Sequence, residues 1–335
     1  LNAYANALMF GLFNLAGADV GPTAMRVTAA VFGVLGVASV YLLALELRKL
    51  DGSDTHLSTA FALLAAAFLA VMRWHIHFSR MGIEPIIVPL IWAASTWLLL
   101  RGWRTGRWIP FIGCGVVLAA GMYTYQGAWV IPILMVIVAL LLLVDRRSKI
   151  ADGKVGIPDE TEPIFGLQSS LLRLFVTAGV AVLLVLPLVW FFVRHPDLLL
   201  LRPAQLVIVG ETESPADSGV WQNVLATAKM FGPFGSPGDL DPRRNLPGMP
   251  ALNLWLVFPF FSGLLLTVRH LLRPAYAIPV IGLIGLLLPG VFSEYAPHFH
   301  RVLGAAAPVA LIGGMGLDWF WSRPWLRHGH LHWLV

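Results

Sequence analysis

Apolar positions in this chain gather into long blocks separated by short polar ones, with little of the two-residue alternation that marks half-buried strands. Nine blocks, at about 27 to 47, 57 to 72, 83 to 101, 108 to 123, 128 to 144, 174 to 194, 252 to 268, 275 to 292 and 302 to 321, approach the length needed to cross a membrane. An α-helix needs roughly 17–25 apolar residues to span the hydrocarbon core. An amphipathic or partly embedded helix at about 3 to 16 precedes the first block. The pattern predicts an all-α fold: a polytopic transmembrane helical bundle with about nine spans and one long extracytoplasmic loop. The chain then divides into an N-terminal transmembrane part at 1 to 194, a loop region at 195 to 251 and a C-terminal transmembrane part at 252 to 335.

Composition agrees. Of the 335 residues, 58% are hydrophobic and 12% charged, against about 45–50% and about 25% in soluble domains. The mean hydropathy is +0.76. A net charge of +5 raises the question of nucleic acid, but the basic residues form short clusters beside apolar blocks and no continuous stripe, so no nucleic-acid partner is expected. The single cysteine, Cys114, lies inside an apolar block, which leaves no disulfide framework and no Cys-rich metal site. The chain opens at Leu1 already within a helical pattern, without a basic leader or cleavage site, and is expected to continue upstream.

Nine spans force successive loops onto alternating sides, and short cytoplasmic loops favour Lys and Arg. With the loop after the first span inside, fourteen of the 23 basic residues are cytoplasmic, and five of the remaining nine lie at 194 to 244, in or beside a long loop that the rule weights little. This places 1 to 26, 73 to 83, a tight turn near 124 to 128, 195 to 251 and 293 to 301 outside. A multi-pass plasma-membrane protein with an active extracytoplasmic face is expected. The inner stretch 145 to 173 mixes charges with Gly and Pro and reads as a linker.

Four extracytoplasmic constellations have chemical content. In RWHIHFSRMGIEP, positions 73 to 85, His75, His77, Arg80 and Glu84 share one loop. A carboxylate where a span enters the membrane is either functional or paired with Arg80 four residues away. GMYTYQGAWVIP, positions 121 to 132, places Tyr123, Tyr125 and Gln126 at a span junction, as an interfacial aromatic belt or as the wall of a sugar pocket. In FSEYAPHFHR, positions 292 to 301, Glu294, Tyr295, His298, His300 and Arg301 precede an apolar helix. A guanidinium there suits a phosphate at headgroup level, with interfacial anchoring as the alternative; the histidine pair lacks a convincing third metal ligand. Finally, Asp239, Asp241, Arg243, Arg244 and Asn245 form a dense polar turn in the long loop, whose apolar residues Trp221, Leu225, Met230, Phe231 and Phe234 favour a folded loop.

The segments MRVTAAVFGVLGVASVYLLALEL, HFSRMGIEPIIVPLIW, GMYTYQGAWVIP, GDLDPRRNLPGMP and HFHRVLGAAAPVALIGGMGL, in this order and topology, resemble the GT-C integral membrane glycosyltransferases. That group includes the protein O-mannosyltransferases and the lipid A aminoarabinose transferase. The resemblance implies transfer of a sugar from a polyprenyl-phosphate donor to a lipid, glycan or protein acceptor, among membrane lipids, usually with inversion; the sequence itself points to no cofactor and leaves a divalent metal open. The resemblance places a catalytic acidic residue in a first loop upstream of Leu1, and a second acidic position at Glu84. From the constellations themselves, Arg80, Tyr123, Tyr125, Gln126, Asp239, Arg243, Arg244 and Asn245 are candidates to bind substrate, and His298, His300 and Arg301 to bind the lipid phosphate. The rival reading is a transporter or flippase without covalent chemistry. Ionisable residues at mid-membrane and broken helices in symmetric halves would mark one; here charge is nearly absent from the spans and polar residues gather on one face. A non-catalytic membrane scaffold is a third class.

Overall fold

A computed structural model describes residues 2–52, 55–151, 167–198, 219–232, 238–293 and 295–322. Glu294, Phe234, most of the 145 to 173 linker and the middle of the 195 to 251 loop lie outside the described residues. Each of the nine apolar blocks is helical, as is the segment before them. The order is α1 (Asn2–Leu15), α2 (Pro22–Leu50), α3 (Thr55–Val71), α4 (Arg73–Ser79), α5 (Ile87–Thr105), α6 (Trp108–Met122), α7 (Ile131–Ala151), α8 (Leu167–Arg194), α9 (Val220–Lys229), α10 (Leu254–Arg269), α11 (Pro274–Val291) and α12 (Ala306–Trp321). Short 3-10 turns at Glu84–Ile86, Gln126–Val130 and Leu303–Ala305 lead into α5, α7 and α12. No strand occurs among the described residues.

Length and composition let six helical segments cross a membrane, or seven if the bent pair α3–α4 is one span. Trp108–Met122 and Leu254–Arg269 are apolar but shorter, at 15 and 16 residues. Local chemistry sets several ends. Pro22 and Pro274 stand in the first turns of α2 and α11, where a missing N–H costs nothing. Gly106, with φ +65, closes α5 in the left-handed conformation that a glycine adopts without a Cβ clash.

Helix α12 is the buried axis, packed chiefly against α10 and α3, while α2 packs chiefly against α5 and α3. The sequence allows this closeness through small residues. A Cβ at Gly313 would strike the Phe68 ring, and one at Gly316 would strike the Pro259 carbonyl of α10. Close helix approach over small side chains is how membrane helices gain packing energy when lipid removes the hydrophobic drive. Helix α8 sits outside, mainly on α6, and exposes Phe175, Val182, Leu183 and Trp190, an arrangement suited to lipid and costly in water.

The two ends of the bundle differ in chemistry. At one, the C-terminal ends of α2, α5, α7 and α12 meet the N-terminal ends of α6, α8 and α11. Arg104 forms a fork to Glu46 at 2.7 and 3.0 Å, Arg48 pairs with Asp318, Arg273 lies 3.6 Å from Asp51 and Arg146 donates to Ser170 at 2.8 Å. The tally of basic residues assigned these termini to one side, and the contacts gather them at one end. The opposite end carries α4 and the loops 238 to 250 and 293 to 302.

The first constellation is not a loop. Its residues 73 to 79 form α4, set at 62° to the preceding helix across Met72, and Trp74, His75 and Phe78 are buried. Burial of the large rings of Trp74 and Phe78 favours the bend in a way that no span-length count registers.

Candidate active site at the histidine end

Two loops far apart in sequence build the site. Helix α9 docks first: the buried Asn223 amide donates to the carbonyls of Val291 (3.0 Å) and Ser293 (2.8 Å) at the end of α11. The chain returns as the Ala251 N–H donates to the Met230 carbonyl at 2.8 Å. Between them, the turn at 238 to 250 is organised by Asp239 and Asn245, both nearly inaccessible. The Asn245 amide donates to the carbonyls of Asp239 (3.1 Å) and Met249 (2.7 Å), while its side-chain oxygen accepts from Arg73 of α4 at 2.8 Å. Arg73 also donates to the Pro250 carbonyl. The Asp239 carboxylate accepts the N–H of Phe299 at 3.0 Å and of Asp241 at 3.1 Å. Asp239 thereby ties the turn to the 293 to 302 loop and Asn245 ties it to α4, and leaving such a buried group without its partner costs about 1–3 kcal/mol.

Arg244 occupies the junction. Its guanidinium lies 2.6 Å from the Asp241 carboxylate and 3.4 Å from that of Asp239, donates to Nε2 of His298 at 2.6 Å, and sits 5.2 Å over the Tyr295 ring. Tyr295 stacks on His298 at 5.1 Å, and His298 tilts toward His300 at 5.9 Å. His300 is in turn stacked between Phe78 (6.1 Å) and Tyr125 (5.3 Å). A Cβ at Gly127 would meet the Tyr125 ring at 2.8 Å, so this glycine lets the ring lie flat toward His300. Trp74 closes the floor, its indole N–H donating to the Phe299 carbonyl at 3.2 Å. Beside Arg244, Asp239, Asp241 and Tyr295 opens a cavity of about 430 Å³.

Burial beside two guanidiniums keeps the imidazoles neutral. Burial, then the charges of Arg301 and Arg244, push the His298 pKa down to about 2; burial, then Arg244 and Arg301, lower His300 to about 4. Hydrogen bonds from Arg243, with the Arg244 charge adding to them, hold the Asp241 carboxyl well below the usual range. Because Arg244 donates to Nε2 of His298, that nitrogen accepts, which assigns the ring proton to Nδ1. The cavity is lined by the Arg244 guanidinium, the Asp239 and Asp241 carboxylates and Tyr295, a mixed set able to exchange hydrogen bonds with sugar hydroxyls, with the two imidazoles behind Arg244 and Tyr295.

The structure thus brings together Tyr125, Asp239, Arg244, Asn245, His298, His300 and Arg301, with Arg301 half-buried next to the two histidines whose charge it opposes. Gln126 is half-buried in the same 3-10 turn. Others stand apart. The Tyr123 hydroxyl donates to the Leu184 carbonyl of α8 at 2.8 Å, and Arg243 is 85% exposed on the outer side of Asp241.

Glu84 is exposed and opens the 3-10 turn Glu84–Ile86, with Pro85 tolerated in the first turn. That turn packs against Leu303–Ala305, just after Arg301. Glu84 and Arg80 form no ion pair among the described residues. Gly82, with φ +72, reverses the chain between them, so they do not share a helix face. His75 faces α2, its ring 3.6 Å from where Cβ atoms would stand on Gly33 and Gly36. Arg73 and Trp74 are site residues that sequence reasoning missed; both begin the RWHIHF segment, and a Trp–Arg pair at a span end was the available signal.

Among curated proteins none matches the chain significantly. Residues 2–155 match the model of a family described as dolichyl-phosphate-mannose-protein mannosyltransferase. The match takes in α1 to α7 and stops short of Arg244, His298 and Arg301, whose candidacy rests on geometry. The similarity covers fewer than half of the 335 residues, in a chain with several apolar helices long enough to cross a membrane.

Proposed function

We propose that this chain transfers a sugar from a polyprenyl-phosphate donor to a lipid, glycan or protein acceptor on the extracytoplasmic face, with the cavity beside Arg244 as part of the active site. The observation that carries this reading is the union of Arg244, His298, His300 and Tyr125 from three separate segments at the end of the bundle away from the paired basic termini. Transfer to a hydroxyl needs a base within about 3 Å of the acceptor and cations on the departing phosphate. Arg301 and the neutral histidines suit the phosphate. Glu84, on the turn that packs beside 303 to 305, suits the acceptor side, either holding the acceptor hydroxyl or orienting the base. The apolar cavity of about 270 Å³ lined by Trp129 and Phe192 has room for part of an isoprenoid chain.

The test is transfer from a polyprenyl-phosphate sugar by the full-length protein in lipid. Arg301→Ala is expected to weaken donor use by a few kcal/mol, and Glu84→Gln to lower turnover at least about tenfold, roughly 1.4 kcal/mol, with little change in stability. Wild-type donor KM and turnover in both variants would overturn the assignment.

A further inference from the structure

Helix α4 has two working faces. Trp74 and Phe78, one turn apart, look toward Phe299 and His300. On its other side, against the start of α2, lies a second cavity of about 490 Å³ whose polar lining is Thr23, Arg26, His77, Ser79 and Arg80. No carboxylate lines it. Elsewhere Arg48, Arg104, Arg243, Arg244 and Arg273 each face Asp or Glu, and Arg101 lies over the Trp97 ring. Arg26 and Arg80 are exposed and make no ion pair among the described residues. His77 closes one side of the cavity with its half-buried ring. Two guanidiniums without a carboxylate partner and the Thr23 hydroxyl around one cavity form a complementary cradle for a tetrahedral dianion.

We propose that this cavity is a second anion site, which binds the phosphate group of a membrane amphiphile separately from the cluster at His298 and Arg301. Taken with the reading of that cluster as the donor-phosphate site, on which this step rests, the amphiphile is the acceptor, so the acceptor class is a phosphate-bearing lipid. The wall of α4 keeps the two anions apart while leaving both at the same end of the bundle.

The experiment is equilibrium binding to the full-length protein in detergent, with dihexanoyl phosphatidic acid, inorganic phosphate and neutral dihexanoylglycerol as probes and no sugar donor present. The phosphatidic acid is expected to bind saturably, at least about tenfold more weakly to the Arg26→Gln/Arg80→Gln double variant, and unchanged to Arg301→Gln; tenfold corresponds to about 1.4 kcal/mol. Arg26→Lys should retain part of the binding, and an unaltered melting temperature of the double variant shows that both arginines are dispensable for folding. Inorganic phosphate binding as tightly as the lipid would support the anion site and assign it to a soluble phosphate. Wild-type binding in the double variant, or equal binding of the neutral lipid, overturns the proposal. Binding is read without turnover, so failure here leaves the transfer reading intact, and loss of transfer with intact binding counts against that reading alone.

Discussion

Arg244 holds four groups at once, and the consequence reaches the protonation of its neighbours. Its charge, with that of Arg301 and with burial, keeps His298 and His300 neutral well below their ordinary range. A histidine whose native pKa is depressed takes up its proton in the unfolded chain first. Its stabilising contribution is therefore complete above about pH 6.5 and is lost as the pH falls through the window between the unfolded and native values. For His300 that window runs from 6.5 to about 4, so at pH 5 it forfeits about 2 kcal/mol at 1.36 kcal/mol per unit. The melting temperature of the detergent-solubilised protein should fall between pH 7.5 and pH 5, and His298→Asn with His300→Asn should flatten the fall. An equal slope in that double variant would show that other groups carry it. None of this was visible in the HFH motif alone, because the depression comes first from burial under segments distant in sequence, with the charges of Arg301 and of Arg244, 54 positions before His298, adding to it.

Helices were the most legible level, since every apolar block became one, and the reason is physical: a segment that must satisfy its backbone without water has few options besides a helix. What escaped was the fate of 73 to 83, expected as a loop because its polar residues interrupt the hydropathy. In the structure Trp74 and Phe78 fill the space under the two loops, and the charges at Arg73 and Arg80 sit at the two ends of α4. Composition over a window averages such a segment into ambiguity, whereas the i, i+4 spacing of its aromatics already fitted a helix face. The assignment has a testable cost. Trp74 is fully buried, touches Phe231 and Phe299 and donates to a loop carbonyl, so Trp74→Ala should destabilise by about 3–5 kcal/mol and loosen both loops. Protease susceptibility of the bond region near Leu246 is the readout, and wild-type resistance there would mean that α4 is not what anchors the turn.

Across the whole molecule, the pairings that define the two ends join residues far apart in sequence: Arg48 with Asp318, Arg73 with Asn245, Trp74 with Phe299. Sequence order cannot disclose such contacts, yet alternation and charge anticipated which termini would meet. The proposed orientation, with the histidine end extracytoplasmic, rests on energetics, because a cluster of basic termini favours retention on the cytoplasmic side during insertion. Cysteine labelling can decide this, since the native Cys114 is completely buried and gives little background. Arg107 and Ser148 are exposed at the basic end; Leu240 and Leu246 are exposed on the turn that carries Arg244. Each is changed to cysteine singly in the full-length protein, and intact cells are treated with a membrane-impermeant maleimide. Leu240→Cys and Leu246→Cys should react at once, and Arg107→Cys and Ser148→Cys only after permeabilisation. The opposite order would invert the bundle and move the candidate site to the cytoplasm, where a donor in the outer leaflet could not reach it. Labelling of all four from one side would break the alternation itself, and with it the separation of the basic end from the site.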